Sequence, residues 1–390
     1  MKPMLKFTLS ACLTSLIFSP LLAQVPSFHF EKETIDDIDI GYGLEIGDVD
    51  GDGTLDILLA DKKQFVWYEN GSWQKHVMVE NLTERDNVCL AARDINGDGK
   101  VEVAVGAQWN PGETSDNEAS GSVHYLIRPE DLRQAWEPVA LHHEPTIHRM
   151  RWMQTGNNAY QLIVVPLHGR DNKAGQGRGV KLMAYQLPDD PAAAWDTVTV
   201  DQSMHMTHNL AVDDGNLDEP GFLVAGREGV NHFVYQDGKW HPRRLESLLQ
   251  PAGEISLGTL DGQPFITTIE PMHGDRLMLY RGEDFGQKTV LFDQMKQGHA
   301  IATADVLGMG KDQIIVGWRE PNEKGKVGIK IFIPMDKQGE SWMHYWIDEN
   351  GMACEDLKVA DLDEDGDLDI IAAGRATKNL NIYWNTQVNN

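Results

Sequence analysis

Apolar residues in this chain do not recur at the spacing of a helix face. They come in short alternating or continuous runs set apart by Gly, Asn and Asp, which is the pattern of short strands and tight turns. The stretch from Gly43 to Glu80 shows it most plainly. Gly43 to Gly47 leads into an acidic, glycine-rich turn, and three further strand-like runs follow, at Asp56 to Ala60, Gln64 to Glu69 and Trp73 to Val79. The same order returns around Asp94, Met153, Asp213, Thr259, Asp305 and Asp361, which makes seven units. A period of roughly 46 to 60 residues is that of propeller blades. An aromatic stands near the start of the last run in six of the units, at Trp73, Trp136, Trp195, Trp240, Phe285 and Trp342. The seventh unit ends after Trp384 without this run, and a segment of the same character, Phe28 to Ile35, lies at the other end of the chain. The pattern therefore predicts an all-β fold: a seven-bladed β-propeller of four-stranded antiparallel blades, one domain over residues 24–390, with the N-terminal strand completing the last blade and leaving no raw edge.

The turns between first and second strands carry recognisable chemistry. Asp48, Asp50, Asp52 and Asp56 recur as Asp94, Asn96, Asp98 and Glu102, and as Asp361, Asp363, Asp365 and Asp369. Oxygen side chains at the first, third, fifth and ninth positions, with a glycine at the sixth, suit a hard cation such as calcium. An EF-hand needs its last carboxylate at the twelfth position and helices on both sides, whereas a strand follows here at once. The expectation is structural calcium in blades one, two and seven. This turn inside a four-stranded unit resembles the FG-GAP or VCBS repeat of integrin alpha-subunit propellers and of many secreted bacterial proteins, and the resemblance covers essentially the whole chain after its leader.

Composition narrows the setting. A net charge of −26 argues against nucleic acid as a partner, since phosphate binding needs clustered Lys and Arg. Residues 1–23 combine a basic start (Lys2, Lys6), an apolar run through Leu22 and Ala23 before Gln24, the layout of a cleavable secretory signal. The expected address is periplasmic or secreted. Leu9 to Cys12 resembles a lipoprotein box, but the apolar run continues past Cys12, which argues against lipidation. No other segment is apolar enough for a membrane span. Cys89 and Cys354 both open apolar strands and lack metal-type spacing, so they are expected as buried free thiols.

The strand order defines two further sets of positions. Each first strand runs into its turn and each second strand runs back out, so the start of the first and the end of the second share the face opposite the turns. The starts of the first strands are Gly43, Cys89, His148, His208, Glu254, His299 and the pair Glu355 and Asp356. Imidazole and carboxylate on consecutive blades suit zinc or another divalent transition metal, with His148, His208, His299 and Glu254 as the candidate ligands. Polar residues that merely line a wet channel are the alternative. The ends of the second strands bring Trp109, His168, Arg170, Arg227, His273, Trp318, Arg319 and Arg375 to the same mouth. Arg can hold oxygens bidentately and Trp can stack on a sugar ring. His205 is a candidate partner behind His208, and His142 and His143 read as surface residues. No nucleophile elbow, P-loop or dinucleotide fingerprint appears.

The His148, His208 and His299 pattern, with the run from His143 to Arg149, resembles the propeller domain of aldos-2-ulose dehydratases, which eliminate water from ketosugars with a metal in the propeller. The chain has no room for the cupin-type domains that follow there, so the later isomerising step is expected to be absent. The resemblance implies a carbon–oxygen lyase acting on a carbohydrate. His168 or His273 would move the proton, Arg170, Arg227 and Arg319 would orient oxygens, and Trp109, Trp318, Arg375, Glu355 and Asp356 would contact substrate. A polysaccharide lyase acting beside a uronate, and a glycan-binding propeller without activity, stay open as alternatives.

Overall fold

The structure, a computed structural model, describes residues 27–386 except 157, 158 and 218; residues 1–23, expected as a signal peptide, and Cys12 among them lie outside the described residues. Seven four-stranded antiparallel sheets form a ring. Six blades use four consecutive strands, and the seventh joins Cys354–Ala360, Asp369–Gly374 and Asn379–Asn385 to Phe30–Asp37 from the N-terminus. Phe30 pairs with Asn385 and Asp37 with Asn379. The inner strands, from Gly43–Gly47 round to Cys354–Ala360, touch their neighbours on both sides, and the last touches the first.

Burial follows from this stacking. A second strand is covered on both faces by neighbouring blades, so it reads as a continuous apolar run. Ile57, Leu58 and Leu59 are each 0 % exposed, and each such side chain contributes about 1.5–3 kcal/mol on leaving water. The outermost strands alternate and are largely exposed, as in Asp196–Asp201 and Gln287–Phe292. The core is accordingly a ring of clusters between blades. One joins Leu44 and Ile57 of blade one to Ile371 and Ile382 of blade seven. Cys89 and Cys354 are buried free thiols, each lying against a glycine: a Cβ on Gly106 would come 2.7 Å from Cys89 Sγ, and one on Gly317 would come 2.5 Å from Cys354 Sγ.

The acidic turns sit where strand pairing places them. Gly47 opposes Asp56 at the turn end of blade one, and Gly43 opposes Ala60 at the other end. Asp48 accepts the N–H groups of Gly51 and Gly53 at 2.6 and 2.9 Å, and Asp56 accepts those of Val49 and Asn70 at 2.8 and 2.9 Å. Oxygens of Asp48, Asp50 and Asp56 lie within 4.8 Å of one another, as do those of Asp361, Asp363 and Asp365. Gly51 and Gly53 hold φ of +85° and +95°, a region where a side chain is strained.

Two other turns replace the extra carboxylates with nitrogen-bearing side chains. In blade six Gln313 stands at the ninth position; its Nε2 donates to Asp305 Oδ1 at 3.3 Å and its Oε1 accepts from Leu307 N at 2.8 Å. In blade four the ninth position is Gly221, and the His232 imidazole fills the space with its Nε2 3.5 Å from Asp213 Oδ2. A Cβ at Gly221 would lie 2.8 Å from that nitrogen.

The central channel is narrow and polar. Glu45 of blade one is held between Arg151 at 2.9 Å and Lys358 at 3.1 Å. A cavity of about 280 Å³ remains beside them, reaching up to Asn209 and Glu254.

Candidate active site

Three imidazoles meet at the mouth, on the face away from the acidic turns. Ligand nitrogens of His208, His273 and His299 lie within 4.8 Å of one another. His208 and His299 open their inner strands, while His273 comes from the turn that follows Gln263–Glu270, with φ of +51°. His208 Nε2 and His273 Nε2 are 2.7 Å apart. His148, at the start of its own inner strand, packs its ring 4.6 Å from His208 and 5.1 Å from Trp109, centroid to centroid.

What lies behind each ring decides which nitrogen it presents. His299 Nδ1 donates to the Glu355 carbonyl oxygen at 2.6 Å, and His148 Nδ1 donates to the His208 carbonyl oxygen at 2.7 Å. His208 Nδ1 lies 2.8 Å from Glu254 Oε1, an ion-pair distance with an approach too bent for a straight hydrogen bond. In each case Nδ1 faces the scaffold, and in His208 and His299 this leaves Nε2 for the group shared with His273, which is how metal-binding imidazoles are held. Burial pushes the pKa of His148 and His299 well below the ordinary value, and the cationic Arg149 and Arg319 guanidinia act in the same direction. His273 is pushed down to about 2 by burial first and by His208 and Arg319 after it. These rings are neutral, with lone pairs available.

Carboxylates and guanidinia surround the cluster. Glu355, 2 % exposed, sits with Oε1 4.0 Å from His299 Nε2 and is gripped by Arg319 at 3.3 Å and Arg375 at 3.0 Å. Arg319 also donates to Gln297 Oε1 at 2.6 Å, and Arg375 lies 5.3 Å over the Tyr42 ring. Burial would raise the Glu254 pKa, but the His208 imidazole, Arg149 and the Asn209 amide reverse that and hold it below the usual carboxylate value. The adjoining cleft, of about 870 Å³, is lined at one end by His273 and Gln297.

The structure sorts the sequence-derived residues into those it gathers and those it sets elsewhere. His208, His299, His273, His148, Glu355, Arg319, Arg375 and Trp109 share the mouth. Glu254 stands behind His208 rather than beside it as a further ligand. Asp356 is spent on backbone, accepting Leu44 N and Leu357 N at 2.9 Å each. Arg170 is clamped by Glu144 at 2.8 Å, Ser115 O at 2.9 Å and Asn117 at 2.6 Å, and Arg227 holds the carbonyls of Ala174 and Gly175 at 2.9 Å. His168 is not among the grouped imidazoles; its backbone N–H donates to Thr146 Oγ1 at 3.0 Å. His205 pairs with Glu228 at 2.9 Å rather than with His208. Trp318 is 0 % exposed, donates Nε1 to Lys326 O and packs on Trp346, so it has no free face for a sugar. Arg149, 4 % exposed and within 3.5 Å of the Tyr42 and His148 carbonyls, was not singled out from sequence, although it closes the run that drew attention to His148.

Comparison with known proteins agrees with this architecture. The family model described as aldos-2-ulose dehydratase, beta-propeller domain, matches residues 120–283. An FG-GAP-like repeat matches 48–105 and an FG-GAP repeat matches 90–126. The dehydratase match spans His148, His208, Glu254 and His273 and stops short of His299. Aldos-2-ulose dehydratase of Phanerodontia chrysosporium is 22 % identical over 358 residues, covering 82 % of this chain and 37 % of the relative. The chain thus matches little more than a third of that protein's length. Among solved structures, BBS1N in complex with ARL6DN has a TM-score of 0.57 at 15 % identity, covering 94 % of this chain and 99 % of that one. A streptogramin B lyase has a TM-score of 0.55 at 12 % identity, covering 92 % and 98 %. At such identities the likeness is one of fold.

Proposed function

We propose that this propeller is an exported carbon–oxygen lyase that eliminates water or an alcohol from a ketosugar at its mouth. The observation that carries the reading is the convergence of neutral His273 and His299 with His208, beside an Arg-held carboxylate and an open cleft. The donor set fits zinc or a related divalent ion: three imidazole nitrogens within 4.8 Å, two of them with Nδ1 anchored from behind. Such an ion, held by His208, His273 and His299, would supply Lewis acidity toward the ketone.

The remaining groups divide the other tasks. His148 is neutral, its Nδ1–H is engaged with the His208 carbonyl, and its Nε2 is left to accept the proton from the carbon beside the ketone. The sequence offers His148 as a ligand and His168 or His273 as the proton carrier; the grouping of His273 with His208 and His299 supports exchanging the roles of His148 and His273. Arg375, whose side chain is 40 % exposed, keeps donors for sugar oxygens and for charge developing on the enolate. Trp109, next to His148, offers a partly open ring face. In a polysaccharide lyase the arginines would neutralise the uronate carboxylate, and Arg170, Arg227 and Arg319 are engaged already, which counts against that reading.

The test combines metal analysis with turnover. Incubation of the full chain with 1,5-anhydrofructose is expected to raise ultraviolet absorbance from a conjugated product, with about one transition-metal ion per chain. His148→Gln should lower kcat by roughly 10²–10⁴-fold and keep the metal, whereas His208→Ala should lose metal and activity together. A folded His208→Ala protein with full activity would remove the assignment, and protein carrying calcium alone would remove the metal from it.

A further inference from the structure

The cleft beside the histidines is larger than one sugar ring requires. Its volume of about 870 Å³ lies toward the upper end for pockets that take drug-sized ligands. From His273 and Gln297 it follows the seam between blades five and six out to Gln294 and Lys324. Met295, 4 % exposed, gives part of it an apolar wall, which suits the C–H face of a pyranose. The charged residues around it are unbalanced. Asp275, Asp293 and Glu323 face two lysines; Lys296 is paired with Glu320 at 3.1 Å, Lys324 donates to the neutral Gln294 at 2.7 Å, and Asp275 lies 3.9 Å from Arg276, which leaves a small negative excess. Such a cleft offers carboxylated or sulfated chains little attraction and accepts hydrogen bonds from neutral hydroxyls.

We propose that this cleft is a subsite for a neutral glycosyl unit, so that the substrate is a ketosugar at the end of an oligosaccharide and the group that leaves is the rest of the glycan. The inference rests on the lyase reading above. A proton leaves the carbon next to the ketone, the C–O bond at the following carbon breaks, and a C=C bond forms between the two. The glycan departs with the bonding pair, takes up a proton and leaves as an alcohol, with no oxidant or reductant involved.

The experiment compares 1,5-anhydrofructose with its 4-O-glucosyl derivative, which yield the same unsaturated ring and differ in the leaving group. The full chain should show kcat/KM at least about tenfold higher for the glucosyl compound, the scale of one well-made subsite contact. Gln294→Trp, which fills the outer cleft from an exposed position, should bring that ratio toward one. Equal kcat/KM for the two compounds, or a preference that survives Gln294→Trp, would overturn the proposal. If neither compound is turned over, the lyase reading fails and calorimetry decides the subsite. Tighter binding of the glucosyl compound that Gln294→Trp abolishes supports the subsite, and equal binding removes it.

Discussion

A buried imidazole can be neutral without being part of any site, and His124 separates the two conditions. It lies on the third strand of blade two, its Nδ1 has no partner, and burial, with His143 nearby, pushes its pKa down to about 4. Above pH 6.5 the ring is neutral in both folded and unfolded chains and contributes no pH dependence. As pH falls from 6.5 toward 4, the unfolded chain takes up a proton that the fold refuses, and stability is lost. Between pH 7 and 4.5 His124→Leu should therefore lose less thermal stability than the parent, by on the order of 2 kcal/mol; parallel melting curves would count against it. The same physics keeps His148, His273 and His299 uncharged, but there the anchored Nδ1 atoms of His148 and His299 and the shared mouth add direction. His148, His208 and His299 could be read from sequence because strand register places them. Arg149 and Trp318 could not be placed in the same way. Register gives a residue's height in the ring; which side chain turns toward the axis and which into the packing depends on local irregularity. The inner strand of blade three shifts register between Ile147 and Arg149.

At the scale of elements, the acidic turns were the most readable feature of the chain and the site less so, because a turn is local and the site is assembled across six blades. The spacing of Asp48, Asp50 and Asp56 is enough to bring their oxygens together. Burial and the neighbouring carboxylates push the pKa of Asp56 up to about 7, the signature of a group whose charge wants a cation. Chelation is expected to lower the melting temperature by several degrees, as loss of any ligand specific to the folded state does, and added calcium should restore it. A melting temperature indifferent to chelator and calcium would leave these turns as ordinary hydrogen-bonded loops. The replacement in blade four was not readable, since it depends on a side chain from elsewhere. Gln313 lies within its turn, but His232 belongs to the next hairpin and reaches Asp213 only because Gly221 leaves room.

The whole molecule depends on one seam. The strand Phe30–Asp37 closes blade seven, with Trp384 Nε1 donating to Glu33 at 2.8 Å and Lys32 paired with Asp348 at 3.3 Å. Its place was legible because one end of the chain lacked a strand that the other end supplied. Deleting residues 27–37 would uncover the edge of Asn379–Asn385, and the truncated protein should melt earlier and self-associate through that edge. Size-exclusion chromatography showing the same elution as the parent would contradict this. The seam also sets the order of events during synthesis. Phe30 cannot meet Asn385 until nearly all of the polypeptide has emerged, so a nascent chain remains an open arc with its first strand waiting throughout. Closure then works as a check on completeness: a chain cut short before Asn379–Asn385 cannot shut, and it presents proteases with two unfinished ends.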